Sequence, residues 1–510
     1  MRNIFVLIYL SFSLSQSLSN IGWIEIAGYT TRDRQIYGPA LRRIYNDTLW
    51  GVHLVWKDEP SRVLYNFFDR STGSFKWTEG KSVFTERVNL GNLDVNPRNH
   101  CPYIVGNYFD NNRYVPVYAS DSAPGQGNFN EFVQRSGFKW SVLAVTNYGY
   151  IRFFCQKEDT LYYRAIYDER RIGYFGAFPT HNITSARDTS RIALIWTATV
   201  SPFDGVMFIR DSRNSGTFWF DTIAVSRVIP SMFNHTYLGG YGFYDLNRKL
   251  HIVANTYDGN NPYQVELWHC LKDTPLIWSR ICSTGTYRSI SIGSYALYAG
   301  RPSIGQNPRT GDLFACWEQF DSLNYEPLTG LARAEIWASR STDNGLTWGE
   351  PICITVSDST SKRFPSLAPI VNDTLHINYI VDSVAGFWEQ GQGPKTTNPI
   401  IYHRVPANFI PVGIAEPEKS SEFKIQNPEL EIYPNPFISY LRIKMNQFWK
   451  SVKIYDVSGH LIKSFLPKED GDKIIWDVLD NNKNRVKPGV YFCELTSGSE
   501  RIVQKIILVR

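Results

Sequence analysis

The groups in this sequence best suited to chemistry are charged and aromatic side chains set beside strand-like runs. Arg301 in AGRPSIG and Arg363 in KRFPSLAP each open an apolar run. A guanidinium there suits bidentate capture of a carboxylate, such as that of an acidic sugar. Phe387 and Trp388 lie in the loop-like stretch VAGFWEQGQGPKTTNP and carry flat rings able to stack on sugar. Asp58, Asp121, Asp382 and Glu389 follow strand-like runs and are the carboxylates placed to reach a shared cavity. A glycosidase needs two carboxyl groups at ~5–5.5 Å or ~6.5–9.5 Å, a spacing sequence does not carry, so no catalytic pair is assigned. Each candidate also has a plainer reading. An arginine before a strand pairs with ions between sheets, and an aromatic loop residue plugs the gap between them.

Other chemistry is excluded by what is missing. His53, His251 and His376 recur at equivalent places in similar segments, which favours a ring that bonds a neighbouring strand over a metal ligand. There is no HxH, HExxH or acidic calcium loop, no GxSxG elbow and no phosphate-cradling glycine loop, so neither metal nor cofactor is expected. The cysteines, Cys101, Cys155, Cys270, Cys282, Cys316, Cys353 and Cys493, form no CxxC pair. Most lie in apolar runs and read as buried thiols, although Cys270 and Cys282 are near enough in sequence to bracket a hairpin. The formal charge of +5 is spread along the chain without a basic cluster, which argues against nucleic acid as a partner.

The elements that must position these residues read as strands. At 510 residues the chain is too long for one ordinary core, and its 15% aromatic content favours sheet over helix. Residues 1–19 have the order of a signal peptide: Arg2, an apolar run from Ile4 to about Leu14, then Ser17 and Ser19. That run is too short to span a bilayer, and no other stretch approaches transmembrane length. From residue 20 to 408 one theme returns, a turn of Asn, Asp or Gly followed by an aliphatic-aromatic strand. NDTLWGVHLVWKD, NRKLHIVANTYD, TGDLFACWEQFD and NDTLHINYIVD are its best copies. A spacing of about forty to sixty residues is that of propeller blades. Residues 409–428 form a polar linker, and 429–510 hold short alternating strands expected to make a small antiparallel sandwich.

Two resemblances sharpen this reading. Ser341, Asp343, Gly345, Thr347 and Trp348 follow the pattern SxDxGxTW, which resembles the Asp-box, or BNR repeat, of the sialidase superfamily. SRNSGTFW and LKDTPLIW are degenerate copies. The spacing suits a hairpin in which Ser341 and Asp343 accept backbone N–H bonds and Gly345 supplies positive φ. The resemblance implies a six- or seven-bladed sialidase-like β-propeller, with such turns on its outer rim. A working sialidase would bring three arginines, a Tyr-Glu pair and an Asp acid together. Where an Arg-Ile-Pro signature would mark the leading arginine, this chain has Arg42-Arg43-Ile44-Tyr45, and the missing proline counts against that activity.

Tyr433, Pro434, Asn435 and Pro436 in YPNPF, with Gly489 and Tyr491 in KPGVYFCEL and the ending KIILVR, resemble the type A C-terminal sorting domain of the type IX secretion system. This implies an Ig-like sandwich recognised by the outer-membrane secretion machinery of a Gram-negative bacterium, and a secreted or cell-surface location. Two readings of function follow. The first is a propeller that binds glycan or protein through its loops. The alternative is a secreted glycoside hydrolase, an exo-sialidase or a relative.

Overall fold

A computed structural model describes residues 20–412 and 430–509, except 37–39, 167, 177–179, 232, 234, 238–239, 260, 285–290, 434–436, 438, 446–449, 467–472 and 498–499. The expected signal peptide, most of the linker and Pro434, Asn435 and Pro436 therefore lie outside the described residues. The chain forms two compact units, divided between Glu416 and Pro417.

The first unit is a seven-bladed β-propeller built from seven antiparallel sheets, six of four strands and one of five. The first strands of the sheets are Ile44–Asp47, Asn89–Val95, Lys139–Val145, Thr180–Ser185, Tyr241–Tyr244, Ala299–Gln306 and Ser361–Leu367. Each packs against the first strand of the next sheet, and the seventh returns to the first, so they ring a central axis. Side-chain caps stitch this ring. Leu143 N donates to Asn92 (2.8 Å), Gly242 N to Asn182 (3.2 Å), Leu367 N to Ser303 (3.0 Å) and Arg43 N to Ser366 (3.1 Å). The seventh blade is completed by Trp23–Thr30, which pairs with Asn398–Pro406 as its outermost strand. Joining the N-terminal strand to the last blade ties the two ends of the propeller together and closes the ring.

The recurrent theme is the turn and second strand of a blade. Asp47 accepts the amides of Leu49 (2.9 Å) and Trp50 (3.2 Å), and Asp245 that of Lys249 (2.7 Å), so in these two blades an aspartate caps the turn. The strands that follow, Gly51–Asp58 and Leu250–Tyr257, are buried along their whole length, which is why they read as continuous apolar runs. Their histidines bind the third strand of the same blade. His53 meets the Tyr65 hydroxyl at 2.7 Å, His376 that of Tyr402 at 2.6 Å, and His251 the ring of His269 at 2.8 Å. Burial pushes His53 and His376 down to about 3, so both rings are neutral. The cysteines are free thiols. Cys270 faces Trp278 and Cys282 faces Leu267 across one strand pair, so the two thiols do not oppose each other.

In the second unit, Leu430–Tyr433, Leu441–Met445 and Lys473–Trp476 form one sheet, and Leu461–Phe465, Ser451–Asp456, Gly489–Ser497 and Glu500–Leu508 form the other. Leu441, Ile454, Trp476, Cys493 and Ile506 fill the core between them. Tyr491, Cys493 and Leu495 are buried while Phe492 is 36% exposed, so the inward register of this strand is odd-numbered. Gly489 begins this strand without a left-handed φ, and Tyr491 donates its hydroxyl to the Lys487 carbonyl (2.5 Å).

Candidate functional site

In an antiparallel blade the first strand starts at the end of the ring where the third also starts, and the turn between third and fourth strands lies at the other end. The starting end is the mouth. There, four first strands share one irregularity: pairing to the second strand skips between Asn89 and Asn92, Lys139 and Val142, Gly300 and Ser303, and Arg363 and Ser366. At each bulge a residue other than glycine adopts left-handed backbone: Leu90 (φ 69°), Trp140 (54°), Arg301 (52°) and Phe364 (58°). Such backbone is costly away from glycine and persists where its surroundings impose it. A bulge also re-aims side chains. In blades six and seven it is followed by proline, in Arg301-Pro302-Ser303 and Phe364-Pro365-Ser366, which needs no ladder partner for its nitrogen.

Two of these bulges bring Arg301 and Arg363 to one carboxylate. Glu318, on the second strand of blade six, is wholly buried. It pairs with Arg301 and with Arg363 (3.2 Å) and accepts the Phe364 amide (2.7 Å). Burial alone would raise its pKa, but the two arginines and the amide more than offset this and hold it below the ordinary value. Arg43 completes the group. It is 1% exposed, and none of its side-chain nitrogens has a hydrogen-bond partner. Burial pushes its pKa down to about 9, with attraction from Glu318 opposing and repulsion from Arg301 adding. Burial likewise pushes Arg301 down to about 10.

The neighbouring Arg42 shows how a satisfied guanidinium looks here. It binds Asp94 (2.6 Å) and the Tyr241 hydroxyl (3.0 Å), and Asp94 is also paired with Arg187. Two adjacent arginines thus have opposite fates.

A narrow pocket lies over Arg301 and is lined also by Arg34, Leu41, Tyr241, Tyr295 and Pro365. The chain between the seventh and first blades crosses this mouth. Arg34 sits 3.9 Å from the centre of the Tyr295 ring. Ala40 donates to the His181 carbonyl (3.0 Å), and its own carbonyl accepts from Asn182 (2.9 Å) on blade four. Asp33 accepts the Trp388 amide (2.6 Å), the Trp388 indole donates to the Thr31 carbonyl (3.2 Å), and Arg32 pairs with both Glu59 and Glu389.

Of the residues singled out from sequence, Arg301 and Arg363 meet at Glu318. Phe387 is 2% exposed and packs on Phe364 (5.8 Å between rings), so it is an aromatic plug and offers no face to a ligand. Trp388 is half-buried and fastened to the crossing segment. Asp58 pairs with Arg62 (2.7 Å), and Asp121 accepts the amides of Gly127 (2.7 Å) and Asn128 (2.9 Å) in a turn remote from the mouth. Asp382 accepts from Val384 N (3.1 Å) and Thr396 (3.2 Å), and burial pushes it up to about 7. Ser341, Asp343, Gly345 and Thr347 form a closed turn in blade six: Gly345 N donates to Ser341 Oγ (2.8 Å) and Thr347 N to Asp343 (2.9 Å). Trp348 donates to Ser279 (3.1 Å). Arg43 was noted in the sequence only within Arg42-Arg43-Ile44-Tyr45, where the missing proline counted against a site, and Glu318 went unrecognised. The signal for Glu318 was an acid inside the apolar strand LFACWEQF.

Among solved structures, an ulvan lyase described as a new family of polysaccharide lyase aligns at 9% identity over 72% of this chain and 93% of its own, with a TM-score of 0.47. A Dyadobacter fermentans protein of unknown function gives 8%, 75%, 99% and 0.39, and an endo-arabinase from Bacteroides thetaiotaomicron 12%, 46%, 93% and 0.30. No curated protein matches. No helix among the described residues is long and apolar enough to cross a membrane. Residues 431–509 match the family of secretion system C-terminal sorting domains, so the propeller is followed by a type IX sorting tail, which marks the chain for export.

Proposed function

We propose that this exported propeller binds acidic glycans at its mouth, with Arg43, Arg301 and Arg363 meeting the sugar's anionic group. One observation carries the reading: Arg43 is buried without a partner beside two arginines that already share the single carboxylate of Glu318. An uncompensated buried charge costs several kcal/mol, in the range of about 3–5 kcal/mol when a buried pair is broken. An arriving carboxylate or sulfate offsets that cost, and guanidinium groups bind such groups bidentately. Arg34 and Tyr295 at the pocket wall add a cation and a ring face. The second unit, with Tyr433, Gly489 and Tyr491, is read as an Ig-like address label for the outer-membrane machinery.

A second reading, glycan hydrolysis, is favoured by Asp382, whose carboxyl is pushed up to about 7 chiefly by burial, with nearby Asp33 contributing in the same direction. Asp33 is itself raised by burial. A carboxyl group half-protonated at neutral pH is a proton donor of the kind glycosidases use. Calorimetry on the secreted chain with sialic acid, glucuronate and galacturonate oligosaccharides against neutral sugars separates the readings, with released reducing ends scored in the same samples. Acidic sugars are expected to bind at the mouth, and Arg43→Met to remove that site from the titration. Equal binding of acidic and neutral sugars, or none of either, overturns the proposal, and release of sugar that Asp382→Asn removes favours the hydrolase.

A further inference from the structure

We infer that a trough at the end of the ring opposite the mouth, between blades two and three, is a second binding site that takes an acidic oligosaccharide along its length. The trough has about 1050 Å³ of open space, and its floor and walls include Tyr103, Tyr118, Phe132, Tyr150 and Ile166. A second hollow continues it past Ile166 and Asp168, which line both, towards Arg135. It is open along its sides, which suits a chain of sugar units more than an enclosed small molecule.

The rings are presented to solvent. Tyr150 is 58% exposed, Tyr148 50%, Phe132 44% and Ile166 41%. Phe132 is held flat by stacking on Tyr118, at 4.9 Å between centroids and 16° between planes. It belongs to Phe129–Val133, the edge strand of blade two, while Tyr148 and Tyr150 belong to the turn that leads into Ile151–Lys157 of blade three. A contiguous exposed apolar surface of this kind marks a contact site. Exposed tyrosine rings give large, rigid contact area with a polar tip.

Charge selects the occupant. The guanidinium of Arg98 lies 5.2 Å from the centre of the Tyr148 ring and that of Arg152 5.5 Å from Tyr150. Neither has a carboxylate partner among the described residues, whereas the local acids are engaged: Glu169 pairs with Arg135 and Asp168 with Arg170, each at 3.5 Å. The trough, with Tyr150 and Arg152 in its lining, and the neighbouring Tyr148–Arg98 pair thus set two rings beside two cations without carboxylate partners among the described residues, which complements a sugar ring bearing a carboxylate or sulfate. This site does not depend on the arginine cluster, which joins blades one, six and seven at the other end of the ring.

The test uses the full secreted chain and three hexasaccharides, hexagalacturonate, a chondroitin sulfate hexasaccharide and neutral maltohexaose, measured by calorimetry. Tyr150→Ala is expected to weaken binding of the acidic hexasaccharides about tenfold, with unchanged thermal midpoint because the ring is exposed. Tyr150→Phe is expected to stay within about twofold of the parent, since the stacking face is kept. Arg98→Gln is expected to weaken acidic hexasaccharides and flatten their salt dependence. Unchanged affinity in Tyr150→Ala overturns the proposal, as does maltohexaose binding as tightly as the acidic sugars. So does a self-association that Tyr150→Ala abolishes, which would make this face a contact between copies. Binding lost in Arg43→Met but intact in Tyr150→Ala would retain the mouth and remove the trough, and the converse pattern would do the opposite.

Discussion

The ring of His269 occupies the space that a side chain on Gly345 would need, since a Cβ there would stand 2.1 Å from its Cε1. The relationship recurs in alternate blades: a Cβ on Gly216 would stand 2.1 Å from the Tyr163 hydroxyl, and one on Gly125 2.4 Å from the Phe67 ring. In each case the glycine lies in a turn between third and fourth strands, and the aromatic on the third strand of the preceding blade. These turns therefore act as wedges that fix one blade on the next, and their glycines serve two needs at once, left-handed φ (85° at Gly345) and close approach.

Gly345→Ala is accordingly expected to destabilise the propeller by about 2–4 kcal/mol, from left-handed strain plus displacement of His269. The readout is the urea midpoint of the secreted chain. A midpoint within error of the parent would contradict the wedge.

Glu318→Gln removes the one carboxylate that Arg301 and Arg363 share and leaves three buried guanidinium groups facing a neutral amide. A loss of about 3–5 kcal/mol is expected, the range for breaking a buried ion pair. Adding Arg43→Met should return part of that loss, because Arg43 feels Glu318 electrostatically. Strict additivity of the two changes in denaturant unfolding would show that Arg43 is not coupled to the cluster.

What could be read in advance follows from how local each feature is. The turn at Ser341 to Thr347 is closed by residues within seven positions, so its spacing carried its hydrogen bonds. The recurrent second strands, with His53 and His376 at matching places, revealed the blades for the same reason. The site is different, because it joins Arg43, Arg301, Glu318 and Arg363 from the first, sixth and seventh blades. Convergence of that kind depends on ring closure and on the bulges at Arg301 and Phe364, neither of which has a local period. Arg42 and Arg43 were indistinguishable in sequence, yet one binds Asp94 and the other nothing. Phe387 could be read from sequence as a stacking ring or as a plug, and only the fold decides, because Phe364 and Arg363 bury its ring.

Asp382 should give stability a pH dependence within the physiological range. Burial raises its folded pKa to about 7, above the ordinary value of 3.8, so the folded protein holds more protons than the unfolded chain between these values. Its stabilising contribution is complete below the unfolded pKa and is lost as pH rises to about 7. Glu335, also pushed up to about 7 by burial, acts in the same direction. Asp382→Asn is therefore expected to flatten, without abolishing, the decline in stability between pH 4 and pH 7. An unchanged slope in thermal midpoints across that window would count against a buried, protonatable Asp382.

Arg43→Met tests the central idea most directly, because stability and binding should move in opposite directions. The methionine keeps an unbranched stem and removes a buried charge that has no partner. Replacing buried ionic groups with apolar ones of similar volume is often stabilising by about 1–4 kcal/mol. Arg43 also has a folded pKa depressed to about 9 by burial, so the parent's folded state holds fewer protons than its unfolded state above that value. Stability of the parent should therefore rise relative to the variant as pH increases beyond about 9. A higher thermal midpoint at neutral pH, joined to loss of acidic-glycan binding at the mouth, is the expected result and marks a residue kept for ligand at the expense of the fold. A lower midpoint with binding retained would instead make Arg43 a structural element of the ring.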